Sequence, residues 1–291
     1  MSGDVPRGPT DLWNAEPRSA ERVRLENLTA DLAWPSKVVG LAEIDSTNSY
    51  AKRLIADRSE VAATPCLIIA DRQTAGRGRG DKRWISDSGS LTFSVVFSLE
   101  AIAVSQPEEL ASLPLLVGIA IAETFAAFVE PRPRVKWPND IYVDGRKVAG
   151  ILMESTSVPG EPTAFVVGIG INCDADPANQ DADLAGRTTN LRRHLAAAES
   201  CGLSPDQLKR VTLHRVLSAI QMVLADVPAA ASQLPRRWPL YCLLTARWVT
   251  VRSGDDVIEG ECVGIDERGA LLVREPGGGW RSILAGEVLK F

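Results

Sequence analysis

Residues 76–84 read Gly-Arg-Gly-Arg-Gly-Asp-Lys-Arg-Trp, three glycines and four cations in nine positions. Glycines let a backbone curl closely around a ligand, and Arg grips anionic oxygens in pairs. The chemistry on offer is the holding of a phosphate or a carboxylate. The run is neither a Walker loop nor a dinucleotide fingerprint, and taken alone it is equally a solvated Gly/Arg loop. Downstream, Lys136-Trp137-Pro138-Asn139-Asp140 reads as a tight turn stabilised by Asn and Asp; Lys147-Val148-Ala149-Gly150-Ile151 follows it. Strand alternation puts Lys147 on the face of Ala149 and Ile151. A lysine just past a turn is ordinarily solvated; on an apolar face it needs an anionic partner, which a ligand could supply. Third, Gly168-Ile169-Gly170-Ile171-Asn172 sets two glycines inside a strand. There they mark a bulge, tight helix packing, or the close approach of a ligand.

The elements that must position these groups alternate between helix and strand from Trp34 to about Glu154. Asp45-Ser46-Thr47-Asn48 ahead of Tyr50, Leu54 and Ile55 reads as a capped helix start. Cys66–Ala70 and Phe165–Ile171 read as buried strands, and the alternation Leu91, Phe93, Val95, Phe97, Leu99 as another. Short strands are expected at Arg134–Trp137 and Ile141–Val143. Asp144-Gly145, a type I′ pair, joins the latter to Arg146–Glu154. The apolar stretch Leu110–Val129 carries Pro114, Gly118 and Glu123, so a helix packed on a sheet is expected there in place of a membrane span. Residues 174–192 read as a loop, and Ser204-Pro205-Asp206 opens a helix to about Val227. After Trp238, five short strands between Gly and Asp turns suggest a small β-barrel.

The fold expected is α+β. A mixed β-sheet with flanking helices occupies residues 34–243, and the barrel 244–291. Residues 1–33 form an N-terminal extension, expected to be flexible, with a short helix around Glu21–Leu28. The length of 291 residues suits one large and one small domain. A net charge of −5 means that phosphate chemistry must come from a local cationic cluster. Five scattered cysteines without a C-x-x-C pair argue against a disulfide framework and a thiolate zinc site. Two histidines supply a metal site poorly, so no metal ligands are assigned. The N-terminus lacks the apolar core of a signal peptide, which points to the cytoplasm. Residues 1–33 are too few for a helix-turn-helix, so neither nucleic acid nor membrane is expected as a partner.

In their order and spacing the three segments resemble the biotin protein ligase family. Its pattern is Gly-Arg-Gly-Arg, Lys-Trp-Pro-Asn-Asp, Lys-(Val/Leu)-Ala-Gly-Ile-Leu and Gly-x-Gly-x-Asn; Ser46-Thr47-Asn48 and Gln73-Thr74-Ala75-Gly76 complete it. The resemblance covers about residues 38–173. It implies a sheet of the class II aminoacyl-tRNA synthetase/biotin synthetase kind, with an SH3-like C-terminal barrel. It also implies an activity: ATP, with Mg²⁺, adenylates biotin, which passes to a lysine of a biotin carboxyl carrier protein domain. Residue by residue, it assigns Ser46, Thr47, Asn48, Gln73, Gly76, Arg77, Gly78, Arg79, Lys147 and Gly150 to biotin. Arg77, Arg79, Trp84, Asn139, Lys147 and Asn172 are assigned to ATP. Lys147, Arg79 and Asp140 are assigned to the chemistry, Asp140 by guiding or deprotonating the acceptor lysine. One departure stands out: the family continues Gly-Arg-Gly-Arg-x-Gly-Arg-x-Trp, whereas here Gly80 comes one place early and Asp81 fills the glycine's slot. That bears on how the loop closes. The nearest rival is a lipoate or octanoyl ligase of the same fold; a biotin-binding module without activity and a DNA-binding repressor are more distant.

Overall fold

The computed structural model describes residues 20–57, 65–102, 104, 110–160, 163–197 and 202–291. The tail before Ala20 and Cys201 lie outside them.

Two sheets organise the chain. The larger has seven strands in the order β1-β2-β3-β7-β6-β5-β4. They are β1 (Lys37–Ile44), β2 (Cys66–Gln73), β3 (Ser90–Ser98), β4 (Arg134–Lys136), β5 (Asp140–Val143), β6 (Arg146–Thr156) and β7 (Ala164–Asn172). Only β1 and β2 run parallel; every other neighbouring pair is antiparallel. β3 and β7, at the centre, are buried at every position, as strands covered on both faces are.

Strand alternation divides the apolar residues between the two faces. Val38, Leu67 and Ile69 join the main core beneath the helices α1 (Ala20–Thr29), α3 (Leu113–Ala126) and α4 (Pro205–Ala225). Val39, Ile68, Val96 and Val166 face the opposite way, beneath α2 (Thr47–Ala56). α3 is apolar nearly all round and correspondingly buried; its Gly118 faces Val135 and Ile151. α4 starts as its sequence demands, with Ser204 and Gln207 forming a reciprocal capping box and Pro205 in the first turn. Residues 227–241, where the sequence reading offered no element, form two short helices, α5 (Val227–Ser232) and α6 (Leu234–Tyr241). Each carries Pro in its first turn, and Asp226 caps α5. The expected loop 174–192 contains two single 3₁₀ turns, and a third, Arg192–His194, begins at its end.

The C-terminal strands β8 (Trp248–Ser253), β9 (Asp256–Ile265), β10 (Leu271–Arg274), β11 (Trp280–Ile283) and β12 (Glu287–Lys290) are the five expected. They form one antiparallel sheet in the order β11-β10-β9-β8-β12. Its end strands share no ladder, so the barrel is not closed by hydrogen bonds. This sheet docks on the edge of the larger one. Buried Trp137 donates its indole N–H to the Gly269 carbonyl (3.0 Å), and in the link between α6 and β8 the Leu243 amide donates to the Val135 carbonyl (2.9 Å). The four described cysteines are free and buried. No helix among the described residues is long and apolar enough to cross a membrane.

Candidate active site

A cavity of about 1020 Å³ opens on the α2 side of the large sheet. Its floor is glycine. Gly150 and Gly170 stand opposite each other across the β6–β7 ladder, and Gly168 stands opposite Leu152. A Cβ on Gly168 would overlap the Asn48 side chain, and one on Gly170 the Trp84 indole. The ladders on both sides of β7 run without a register shift, so these glycines mark close approach and no bulge.

One end of the cavity is set by the start of α2. Ser46 caps the helix through Ser49, which leaves Thr47 and Asn48 in the first turn, pointing at the sheet and almost fully buried. The Gln73 side-chain oxygen, Oε1, accepts from the Thr47 amide (2.8 Å) and hydroxyl (3.1 Å). Ser94 on β3 donates to Asn48 Oδ1 (2.7 Å) and lies 2.8 Å from Thr47 Oγ1. The result is a buried polar cluster whose members fix one another. Alternation on β3 identified Leu91, Phe93, Val95 and Phe97 as core. It missed Ser94, on the opposite face and wholly buried; small hydroxyl residues interleaved in an apolar strand were the available signal.

The glycine and arginine run is a hairpin. Arg77 and Arg83 form an antiparallel bridge, the Gly78 amide donates to the Lys82 carbonyl (2.7 Å), and Lys82 donates back to Arg79 (3.2 Å). Gly80 sits at the tip with φ +59°, while Asp81 has no positive φ. That pairing suits a two-residue turn that needs glycine at its first central position. The early glycine therefore has a local reason, and Asp81 takes the position that any residue can hold. Arg79 donates to the Gly286 carbonyl (2.9 Å), and Lys82 pairs with Glu287 on β12 at 2.5 Å, so the C-terminal sheet holds the hairpin's outer end. Arg77 reaches Glu154 on β6 at 3.0 Å.

Lys147 is not on the face that simple alternation gave. Ile141 pairs with Ala149 but Tyr142 with Lys147, so Val148 is a bulge residue and the lysine turns over to the side of Gly150. Its Nζ would lie 3.1 Å from a Cβ at Gly150; that glycine leaves room for it. The anionic partner comes from the protein: Asp140 Oδ1 is 2.6 Å from Lys147 Nζ. Asn139 also lines the cavity, its amide donating to the Ile151 carbonyl (2.5 Å). Trp84 lies over Gly170, 5.9 Å beneath the lysine ammonium, and its buried indole N–H has no partner. Asn172 is buried beyond the cavity lining. Its amide nitrogen holds the Thr189 carbonyl (3.0 Å), and thereby the segment whose Arg187 and Thr188 do line it.

In this way Ser46, Thr47, Asn48, Gln73, Gly76, Arg77, Gly78, Arg79, Trp84, Asn139, Asp140, Lys147 and Gly150 all line one cavity. Sequence reasoning named Lys136 within its motif without giving it a role and did not find Arg187, Arg252 and Glu287; all four line it as well. Nine cations face three carboxylates there, in a chain of net charge −5; the site is built for anions. Burial lowers the proton affinity of both Arg79 and Lys136, against the opposing pull of Asp140 and Glu287. Both are cations poorly served by water.

Comparison with known proteins gives the same direction. Residues 40–172 match the Biotin/lipoate A/B protein ligase family, and residues 247–290 the Biotin protein ligase C terminal domain. The biotin–[acetyl-CoA-carboxylase] ligase of Paracoccus denitrificans is 30% identical over 82% of this chain and 94% of its own. The bifunctional ligase/repressor BirA of Escherichia coli K12 is 32% identical over 82% of this chain and 70% of its own. Among solved structures, the biotin protein ligase from Aquifex aeolicus in complex with biotin and ATP superposes with a TM-score of 0.66. It is 26% identical and covers 86% of this chain and 97% of that one.

Proposed function

The chain belongs to the biotin protein ligase family, and we propose on that premise that it joins biotin to ATP as biotinyl-5′-AMP. The biotinyl group then passes to a specific lysine of a biotin carboxyl carrier protein domain in the cytoplasm. Four buried free thiols suit a reducing compartment. The observation that carries the reading is the convergence of the cationic hairpin and Lys147 on one glycine-floored cavity.

A carboxylate does not condense with an amine unaided, because its oxygen is a poor leaving group. Attack by the biotin carboxylate on the α-phosphate forms a mixed anhydride and expels pyrophosphate; the acceptor amine then attacks the carbonyl and AMP leaves. The first step brings two anions together, and fixed cations at the reacting centre offset that cost. Lys147, held by Asp140, and desolvated Arg79 are placed for it. The buried cluster of Thr47, Asn48, Ser94 and Gln73 suits the polar ring of biotin, and Trp84 and Asn139 the nucleotide. Asp140 is the group we assign to guiding the acceptor amine. Magnesium fits as a nucleotide-borne ion: Mg²⁺ takes phosphate and water oxygens with one or two carboxylates. Asp140 is the carboxylate here suited to join them, and the bound ion would neutralise phosphate charge. Among the described residues no group of three potential ligands forms a protein-only metal cage.

The deciding measurement is biotin-dependent exchange of pyrophosphate into ATP, with lipoate as competitor. The chain should exchange with biotin, and Lys147→Met should cut the rate on the order of 10²–10³-fold, as loss of one transition-state contact does. Lipoate-dependent exchange, or none with either acid, would overturn the assignment. Asp140→Asn supplied with preformed adenylate should transfer more slowly than the wild type.

A further inference from the structure

We infer that Glu154 is a positioning residue that couples the biotin end of the cavity to the cationic hairpin; this rests on the biotin-ligase reading of the site. Glu154 lies on β6, past the Lys147–Ile151 segment that drew attention in the sequence, and its side chain is only 15% exposed. Its carboxylate accepts from three groups on two other elements. Lys52 Nζ, on α2, is 2.7 Å away, Asn48 Nδ2 at the start of α2 is 2.9 Å away, and Arg77 at the base of the hairpin is 3.0 Å away. Burial pushes this carboxyl up, yet the hydrogen bonds from Lys52 and Asn48 and the charge of Arg77 outweigh it and hold it below the usual range.

Two consequences follow from one charge. An ionised carboxylate only accepts, so Asn48 must present its NH₂ to Glu154. That same NH₂ donates to the Leu152 carbonyl (3.1 Å), which turns Oδ1 toward Ser94. Glu154 and the Leu152 carbonyl together fix the orientation of the amide in the biotin-end cluster. The same carboxylate ties Arg77, and with it the base of the hairpin, to the strand that carries Lys147 and Gly150. Because the two contacts share an acceptor in a half-buried site, a change at one is felt at the other. A ligand that settles against Asn48 thereby firms the hairpin.

Hydrogen exchange across residues 76–84 of the full chain, with and without biotin, tests this. In the wild type, saturating biotin should slow exchange at the Gly78 and Trp84 amides, which close the hairpin. Glu154→Gln should bind biotin about tenfold more weakly, the scale of losing a charged hydrogen bond, and at saturation should leave the hairpin exchanging nearly as fast as without ligand. Glu154→Asp, which keeps the charge on a shorter arm, should recover part of the protection. Full protection in Glu154→Gln at saturation would overturn the coupling. If that variant fails to fold, Arg77→Met must lose the same protection, and its retention would be equally fatal. A wild-type chain that does not bind biotin at all would instead remove the biotin reading, a separate outcome.

Discussion

At the scale of single residues, the site is defined as much by missing side chains as by present ones. Gly170 is the sharpest case, because a methyl group there would press into the Trp84 ring. The indole must then shift, and with it the wall that faces Lys147. Overpacking of this kind costs about 1–3 kcal/mol. Gly170→Ala should therefore lower thermal stability and weaken ATP binding in calorimetry more than biotin binding; unchanged ATP affinity would show that Trp84 is not part of the nucleotide wall. The identities of such residues were legible in the sequence, and most of those assigned by family resemblance line the same cavity. Two lessons came only with coordinates. The partner of Lys147 is Asp140, seven residues earlier, because the ladder sets Asp140 opposite Gly150. Asn172 supports a neighbouring segment from behind the lining.

At the scale of elements, the hairpin and β6 decide the geometry. The strand β6 was read from its turn and alternation, but the face that Lys147 takes was not, nor was the pairing within the hairpin. A bulge at Val148 reverses the face of every residue before it, and alternation has no term for an inserted residue. The departure at Asp81 bore on loop closure, and the structure sets Gly80 and Asp81 as the two central residues of the turn. Gly80 at φ +59° is then the residue that cannot change. Gly80→Ala should strain the hairpin by about 1–2 kcal/mol, the cost of a side chain in left-handed backbone. It should release biotinyl-adenylate into solution, measured with labelled ATP; Asp81→Gly should leave retention near the wild-type level. The strand β6 carries a pH dependence through Glu154. Because the Glu154 carboxyl is held below its ordinary value, its contribution is complete above about pH 4.3, the unfolded-chain value. It is lost as pH falls through the lower folded value. Melting temperatures followed down to about pH 3 should thus fall less steeply for Glu154→Gln than for the wild type.

At the scale of the whole molecule, two sheets share one cavity. The strands and their grouping into a large mixed sheet and a small antiparallel one were legible, since hydrophobic period and turn residues are local signals. The docking of one sheet on the other was not, because it depends on side chains distant in sequence. Arg79 meets Gly286, Lys82 meets Glu287, and Lys136 donates to Val288 (3.1 Å). A chain ending before Arg247 would lose all three, along with the acceptor of the Trp137 indole. It should show a lower melting temperature and biotin-dependent exchange reduced by at least about tenfold, given several lost contacts of about 1 kcal/mol each. Full exchange by the shortened chain would mean that the small sheet serves only the acceptor.

Two of those three contacts end on main-chain carbonyls, at Gly286 and Val288. A peptide oxygen is present whatever residue occupies the position, so the grip on Arg79 and Lys136 uses neither side chain; packing alone restricts them, since a Cβ at Gly286 would lie 2.6 Å from the Arg252 carbonyl oxygen and Val288 is buried. What it does demand is phase: inserting or deleting one residue between Ile283 and Glu287 would present the wrong oxygens. Natural drift along this stretch should therefore be strict in counting.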